Sequence, residues 1–213
     1  LTGLIDYLGG NDALINLAAA LPALCGLLQI PGGVLGRRFE SYKKFVAPGG
    51  LGWRALYVPF IFLLFLPIPD PAKLALVITC VAMAAACQAI LAPAYNEWIA
   101  ELVPANSRGF FFARRNAVFA ATGAIAGLGG AFLLDRLKGA GKQDLGFSIV
   151  FGVAVLAGAV SMVFYMRMHD LKRKHVDRQP FWSSVKELKN PIKDPNFRPV
   201  LLFLGVFLAG QAF

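Results

Sequence analysis

Apolar stretches, uncharged except for Arg54, alternate along the chain with short charged connections. Five of them, residues 13–36, 51–69, 74–96, 116–134 and 145–166, reach the length of about 20 residues that a helix needs to cross the hydrocarbon of a bilayer. A helix is the expected form of each, because it satisfies every backbone N–H and C=O within its own segment. Pro22 and Pro31 should kink the first stretch, since proline has no N–H and its ring collides with the preceding turn. Pro48-Gly49-Gly50 precedes the second, and Pro67, Pro69 and Pro71 stiffen the turn after it. Residues 1–10 read as the tail of an earlier span or as an outer loop. A sixth apolar run opens near Val200 and stops at Phe213 before it could cross. The chain is therefore expected to be a fragment lacking material at both ends, with a transmembrane bundle over 1–168, a linker over 169–198 and the start of a further helix over 199–213.

Composition agrees with that pattern. Hydrophobic residues make up 57% of the 213 and charged ones 15%, against about 25% charged in soluble domains. The net charge of +9 could suggest nucleic acid. The basic residues, however, sit in alternate connections rather than on one face, and membrane topology accounts for them without a nucleic-acid partner. Residues 37–44, 104–115 and 167–198, with Arg54, hold all but four of the twenty-one lysines and arginines. The exceptions are Lys73, Arg136, Lys138 and Lys142. The basic set is expected on the cytoplasmic side of an inner membrane, and Arg54 is expected to snorkel to that surface. Trp182, Val185 and Leu188 recur at helical spacing in the last basic segment, as a short surface helix would have them. Cys25, Cys80 and Cys87 all fall in apolar stretches. Cys80 and Cys87 are about 10 Å apart along one helix, too far for a disulfide.

Charge gathers most densely at residues 97–116. Glu97 and Glu101 share a helix face, a spacing that could hold a metal or serve acid–base chemistry. No histidine joins them, and Arg108, Arg114 and Arg115 are their neighbours. Ion pairs bracing adjacent helices are the preferred reading over catalysis, and Arg37 and Arg38 are counted in the same gate network. Inside the spans the costly groups are amides and a phenol. Gln88 and Tyr95, seven apart, lie on one face, with Gln29, Asn16, Asn96 and Asn116 in similar settings. Each either ties helices together or lines a watery path. Pro22, Gly26, Gln29 and Gly33 form one row, and Gly123 and Gly127 a small-xxx-small pair suited to close helix packing. His169 and His175 lack ligand partners at metal spacing, and the chain has no phosphate-cradling glycine loop with its lysine. No cofactor or metal is expected. Asp6 is the one weak candidate for an intramembrane proton carrier.

The spans, the basic segment after the fifth, and Asp194-Pro195-Asn196-Phe197-Arg198-Pro199 leading into the next run resemble the major facilitator superfamily. Residues 33–44 fall where that family has its glycine and basic loop motif, with Arg37 in place of the aspartate and Glu40 in place of the second glycine. Trp98, Val103-Pro104, Arg108-Gly109, Phe112 and Arg114-Arg115-Asn116 are similar to the helix four to five connection of a bacterial group of facilitators. The resemblance implies an all-α, polytopic helix bundle, the N-terminal six-helix half of a transporter lacking most of helix 1. Helices 2–6 would be complete, and Val200 would open helix 7.

The resemblance further implies a secondary transporter that moves a small-molecule solute by alternating access, with the lipid bilayer and the C-terminal half of the same protein as partners. In the family helices one, two, four and five line the central cavity. That points to Gln29, Gln88, Tyr95 and Asn116 as substrate-binding residues. Two other classes stand beside this one. A membrane enzyme such as a lipid-linked transferase would need an acidic pair to hold a metal-bound diphosphate, and Glu97 and Glu101 come nearest to it. A non-transporting membrane scaffold would show no solute flux.

Overall fold

A computed structural model describes residues 1–173, 198, 199, 202 and 203. Its elements in chain order are α1 (Thr2–Tyr7), α2 (Asp12–Cys25), α3 (Gln29–Gly36), α4 (Tyr42–Ala55), α5 (Pro59–Phe62), α6 (Asp70–Leu102), α7 (Arg108–Gly139) and α8 (Gln143–Arg167), with short 3-10 turns between some of them. Among the described residues five stretches of helix are long and apolar enough to cross a membrane: Asp12–Gly36, Tyr42–Phe65, Asp70–Leu102, Ala105–Gly139 and Gln143–Arg167. The expected surface helix around Trp182 and the run opening at Val200 lie outside the described residues.

The first span breaks ahead of Pro31, while Pro22 lies inside the continuous α2. Asn11 caps α2, its side-chain oxygen accepting from the Leu14 N–H at 2.9 Å. The α-helical ladder gives way to a 3-10 turn at Gly26–Leu28 before α3 resumes. Pro31 has no N–H to offer the Leu27 carbonyl, so the regular pattern cannot pass through that turn.

Two boundaries differ from the sequence reading. The second span begins at Tyr42, not at residue 51, and Pro48, Gly49 and Gly50 lie inside α4 instead of breaking it. Ser41 starts the helix early by accepting from the Lys44 N–H at 3.1 Å, a standard N-cap that satisfies an otherwise orphaned donor. The glycines let neighbours close in: a side chain at Gly49 would collide with Leu91, and one at Gly50 would touch Met162. Charge likewise failed to end the helices near residues 97–116. Glu97 and Glu101 belong to α6, while Arg108, Arg114, Arg115 and Asn116 belong to α7. At 33 residues, α6 is about 50 Å long and exceeds a hydrocarbon core of about 30 Å, so its charged end can project from lipid without leaving the helix.

α6 is the central post. It packs against α2, α3 and α4, while α8 packs against α4, α5 and α7. The tightest approach is between α3 and α6. A Cβ at Gly32 would run into the Ile90 backbone, and one at Gly36 would sit 3.1 Å from the Ala94 Cβ. Gly32 and Gly36 thus form a small-xxx-small face against Ile90 and Ala94. It lies one residue round from the predicted row, in which Gly33 only touches Pro93. At Gly123 and Gly127 nothing among the described residues comes within 4 Å of a Cβ. No residue of α7 is buried, and Phe110, Phe119, Ile125, Leu128 and Phe132 stand exposed along it.

Two apolar clusters hold the bundle at its ends. At one end Leu4 and Ile5 of α1 join Phe60, Leu63, Val77 and Phe147. Tyr7 lies against the Phe147 ring there, and its hydrogen bond to Asp144 pushes its phenol above the usual pKa. At the opposite, basic end, Tyr42, Val46, Ala94 and Trp98 are buried together.

Candidate functional site

Between α4, α6 and α8 lies a cavity of about 290 Å³, open to the surface, with the exposed Phe119 of α7 at its edge. Its polar lining is Arg54, Gln88, Tyr95 and Tyr165, and its apolar lining includes Val46, Leu91, Ala92 and Trp53. Gln88 and Tyr95 are brought together as their spacing predicts, two turns apart on one face of α6. Tyr95 stacks on Tyr165 of α8, with ring centroids 5.4 Å apart and planes inclined by 18°, which fixes the wall where the two helices meet.

The sequence reading has Arg54 near the start of its span; the structure places it further along the helix. Because α4 starts at Tyr42, Arg54 lies about 18 Å along the helix axis from its first residue. Its guanidinium folds back one turn, Nη1 donating to the Gly50 carbonyl at 2.8 Å. It also lies 4.4 Å from the centre of the Trp53 ring. The stem passes Gly158 of α8, where a Cβ would meet Arg54 Cδ at 3.4 Å. On its other side lies a second cavity of about 250 Å³, lined by Trp53, Tyr57, Ala154, Val155 and Gly158 together with Arg54 itself. The signal was present in the sequence as a lone cation in an apolar run. Reading Pro48-Gly49-Gly50 as a loop placed it at the wrong depth.

The remaining predicted binding residues lie elsewhere. Gln29 is exposed at the start of α3, and Asn116 is exposed on α7; neither lines the cavity. Asn116 Oδ1 accepts from Arg115 Nε at 3.4 Å and Nη2 at 3.3 Å, while Arg115 Nη1 donates to Asn96 Oδ1 at 3.4 Å. Arg115 therefore ties α7 to α6 through amides.

The charged set at the basic end is engaged differently from the expected network. Among the described residues no ion pair joins Glu97 or Glu101 to Arg108, Arg114 or Arg115. Glu97 pairs with Arg173 at 2.7 Å, and Glu101 accepts from the Tyr42 hydroxyl at 3.0 Å. Arg108 Nε donates to the Val103 carbonyl at 3.1 Å. Arg114 is exposed on α7, and Arg37 and Arg38 are exposed in the turn after α3. The two acids hold separate partners. Among the described residues no group of three or more His, Cys, Asp or Glu is arranged to hold one.

Residues 168–173 form a clasp that the sequence reading did not foresee. Leaving α8, this segment lies across the ends of α4 and α6. Trp98 Nε1 donates to the His169 carbonyl at 3.0 Å. Ser41 Oγ donates to Asp170 at 2.7–2.8 Å. Arg173 N–H donates to the Glu40 carbonyl at 2.8 Å, beside an antiparallel bridge between Ser41 and Lys172. Lys43 Nζ reaches the Met166 carbonyl and, at 3.3 Å, that of Met168, serving the unpaired acceptors at the end of α8. The Arg173 side chain is only 5% exposed, and its guanidinium lies 4.2 Å from the centre of the Tyr42 ring. Its partner is 76 positions away in sequence, so no local spacing could have announced the pair.

A family model described as Major Facilitator Superfamily matches the chain over residues 1–213. Comparison with curated proteins and with solved structures gave no match.

Proposed function

The chain belongs to the major facilitator superfamily, and from that premise we propose that this integral membrane transporter moves a small solute by alternating access between two helical halves. The described bundle would act as one half, and a C-terminal half of the same protein would supply the other. The family match over the whole chain carries this reading. The cavity between α4, α6 and α8 places an amide, two phenols and a guanidinium inside spans otherwise built of apolar residues; of its walls only α6, counted as helix four, is among the helices that line the family's solute path, so its polar residues are the ones that bear on transport. Gln88 and Tyr95 would contact the solute, with Gln29 and Asn116 as outlying members of the path. Gly123 and Gly127 would offer a close-packing face to a helix outside the described residues.

The clasp suits a rocking half. It ties the ends of α4, α6 and α8 together, so those helices would move as one body while the opposing half rotates. By the charge bias of the connections this end would face the cytoplasm of a bacterial inner membrane.

The test uses the full-length protein in proteoliposomes. Labelled small solutes are screened by counterflow, and the solute that exchanges is then tested on Gln88→Ala. Loss of a buried hydrogen bond to the solute predicts about a tenfold rise in the half-saturating concentration. An unchanged value would remove Gln88 from the site. No counterflow with any solute would favour a membrane scaffold.

A further inference from the structure

We infer that the solute path admits oxyanions, selected at its basic end by the guanidinium of Arg115; this rests on the transporter reading above, in which helices four and five, here α6 and α7, line the path. The uncharged run of α6 ends at Asn96 and that of α7 begins at Asn116, so Arg115 stands where the two helices pass from lipid to water. Its side chain bridges them. Nη1 donates to Asn96 Oδ1 at 3.4 Å, while Nε and Nη2 donate to Asn116 Oδ1 at 3.4 and 3.3 Å. All three contacts are longer than the about 2.7–2.9 Å of a charge-assisted bond to an anion. The Phe112 ring centre lies 4.7 Å from the guanidinium and steadies the plane of its fork. Amide oxygens are neutral, so they orient the cation without cancelling its charge.

The acids at this end do not neutralise it. Glu97 pairs with Arg173 at 2.7 Å, and Glu101 accepts from the Tyr42 hydroxyl at 3.0 Å. Among the described residues no carboxylate pairs with Arg114 or Arg115. With Glu97 held in the clasp, Arg108, Arg114 and Arg115 of α7 outnumber the acid that remains on this end of α6. No residue of α7 is buried, so protein does not cover the site. Like charges at the rim of a low-dielectric cleft raise the local concentration of the opposite ion and hold back their own sign. A carboxylate, sulfonate or phosphate arriving there would replace the long amide contacts with shorter, charge-assisted ones. Anionic lipid headgroups share that chemistry, so the test uses vesicles that lack them.

A thiol placed beside Arg115 reports the local potential. Val118→Cys, one turn along α7 at an exposed position, is made in the full-length protein with its native cysteines replaced, and reconstituted in phosphatidylcholine vesicles. Its rates of reaction with anionic sulfonatoethyl and cationic trimethylammonioethyl methanethiosulfonate are measured at low ionic strength. Their ratio is compared with the ratio for free mercaptoethanol. A unit charge about 6 Å from the thiol changes each rate about threefold, in opposite directions, so the ratio at residue 118 should favour the anion by about tenfold. Arg115→Gln should remove most of that preference and Arg115→Lys should keep it, with melting temperatures confirming that both variants fold. High salt should shrink the preference without any change at Arg115. A ratio equal to that of mercaptoethanol, or no reaction at residue 118 with either reagent, would overturn the inference. So would a preference unchanged in a folded Arg115→Gln protein. Counterflow confined to cationic solutes in those vesicles would also overturn it, while leaving the transporter reading in place.

Discussion

Trp98→Ala is expected to destabilise the protein by about 3–5 kcal/mol, the range for deleting a large buried aromatic side chain. Trp98 is fully buried and lies edge-on to Tyr165, with centroids 5.6 Å apart. Its indole N–H holds the His169 carbonyl. Truncation would therefore open a hole among α4, α6 and α8 and unfasten the clasp in one step. Trp98→Phe separates the two effects. It keeps much of the ring packing but leaves the His169 carbonyl without its donor, and it should cost about 1–3 kcal/mol. Denaturant unfolding in detergent, followed by far-UV circular dichroism, measures both. Equal stability of Trp98→Ala and wild type would show that the basic end does not depend on this post.

The second large effect concerns the clasp's ion pair, and it should be asymmetric. Arg173 is buried at 5% exposure, whereas Glu97 is 47% exposed. Glu97→Gln strands a buried cation, and removing one partner of a buried pair costs about 3–5 kcal/mol; discounted for the half-exposed acid, about 2–3 kcal/mol is expected. Arg173→Gln strands only a carboxylate that water already reaches, and about 1 kcal/mol is expected. The same unfolding experiment on both variants reads the difference. Equal costs, or a larger cost for Arg173→Gln, would contradict the burial that separates the two groups.

The sequence made the five spans legible because lipid imposes a simple rule: about 20 uncharged residues per crossing. It also placed Gln88 and Tyr95 on one face, since helical period alone decides that. Reasoning by local breakers misled at Pro48-Gly49-Gly50, where the Ser41 cap and the close approach of Leu91 and Met162 outweigh propensity. That one error put Arg54 near the start of its span, whereas it lies close to the end of α4. Close packing was assigned to Gly33, yet Gly32 and Gly36 make the contact. A glycine-rich run leaves helix rotation open, and the partner settles it. The acids of α6 were given to nearby arginines, although the partners of Glu97 and Glu101 are Arg173 and Tyr42, remote in sequence. Tertiary proximity of that kind has no periodic trace.

Water access at Gln88 tests the central claim most directly. Gln88→Cys is made in a background with Cys25, Cys80 and Cys87 replaced, and its reaction with a charged, water-soluble methanethiosulfonate is followed in proteoliposomes. Met83→Cys, at a position exposed on the surface of α6 outside the cavity lining, serves as the comparison. A cavity on a transport path predicts labelling at residue 88, protection by the transported solute, and no such protection at residue 83. Absence of labelling at residue 88 from either side of the membrane would contradict the account.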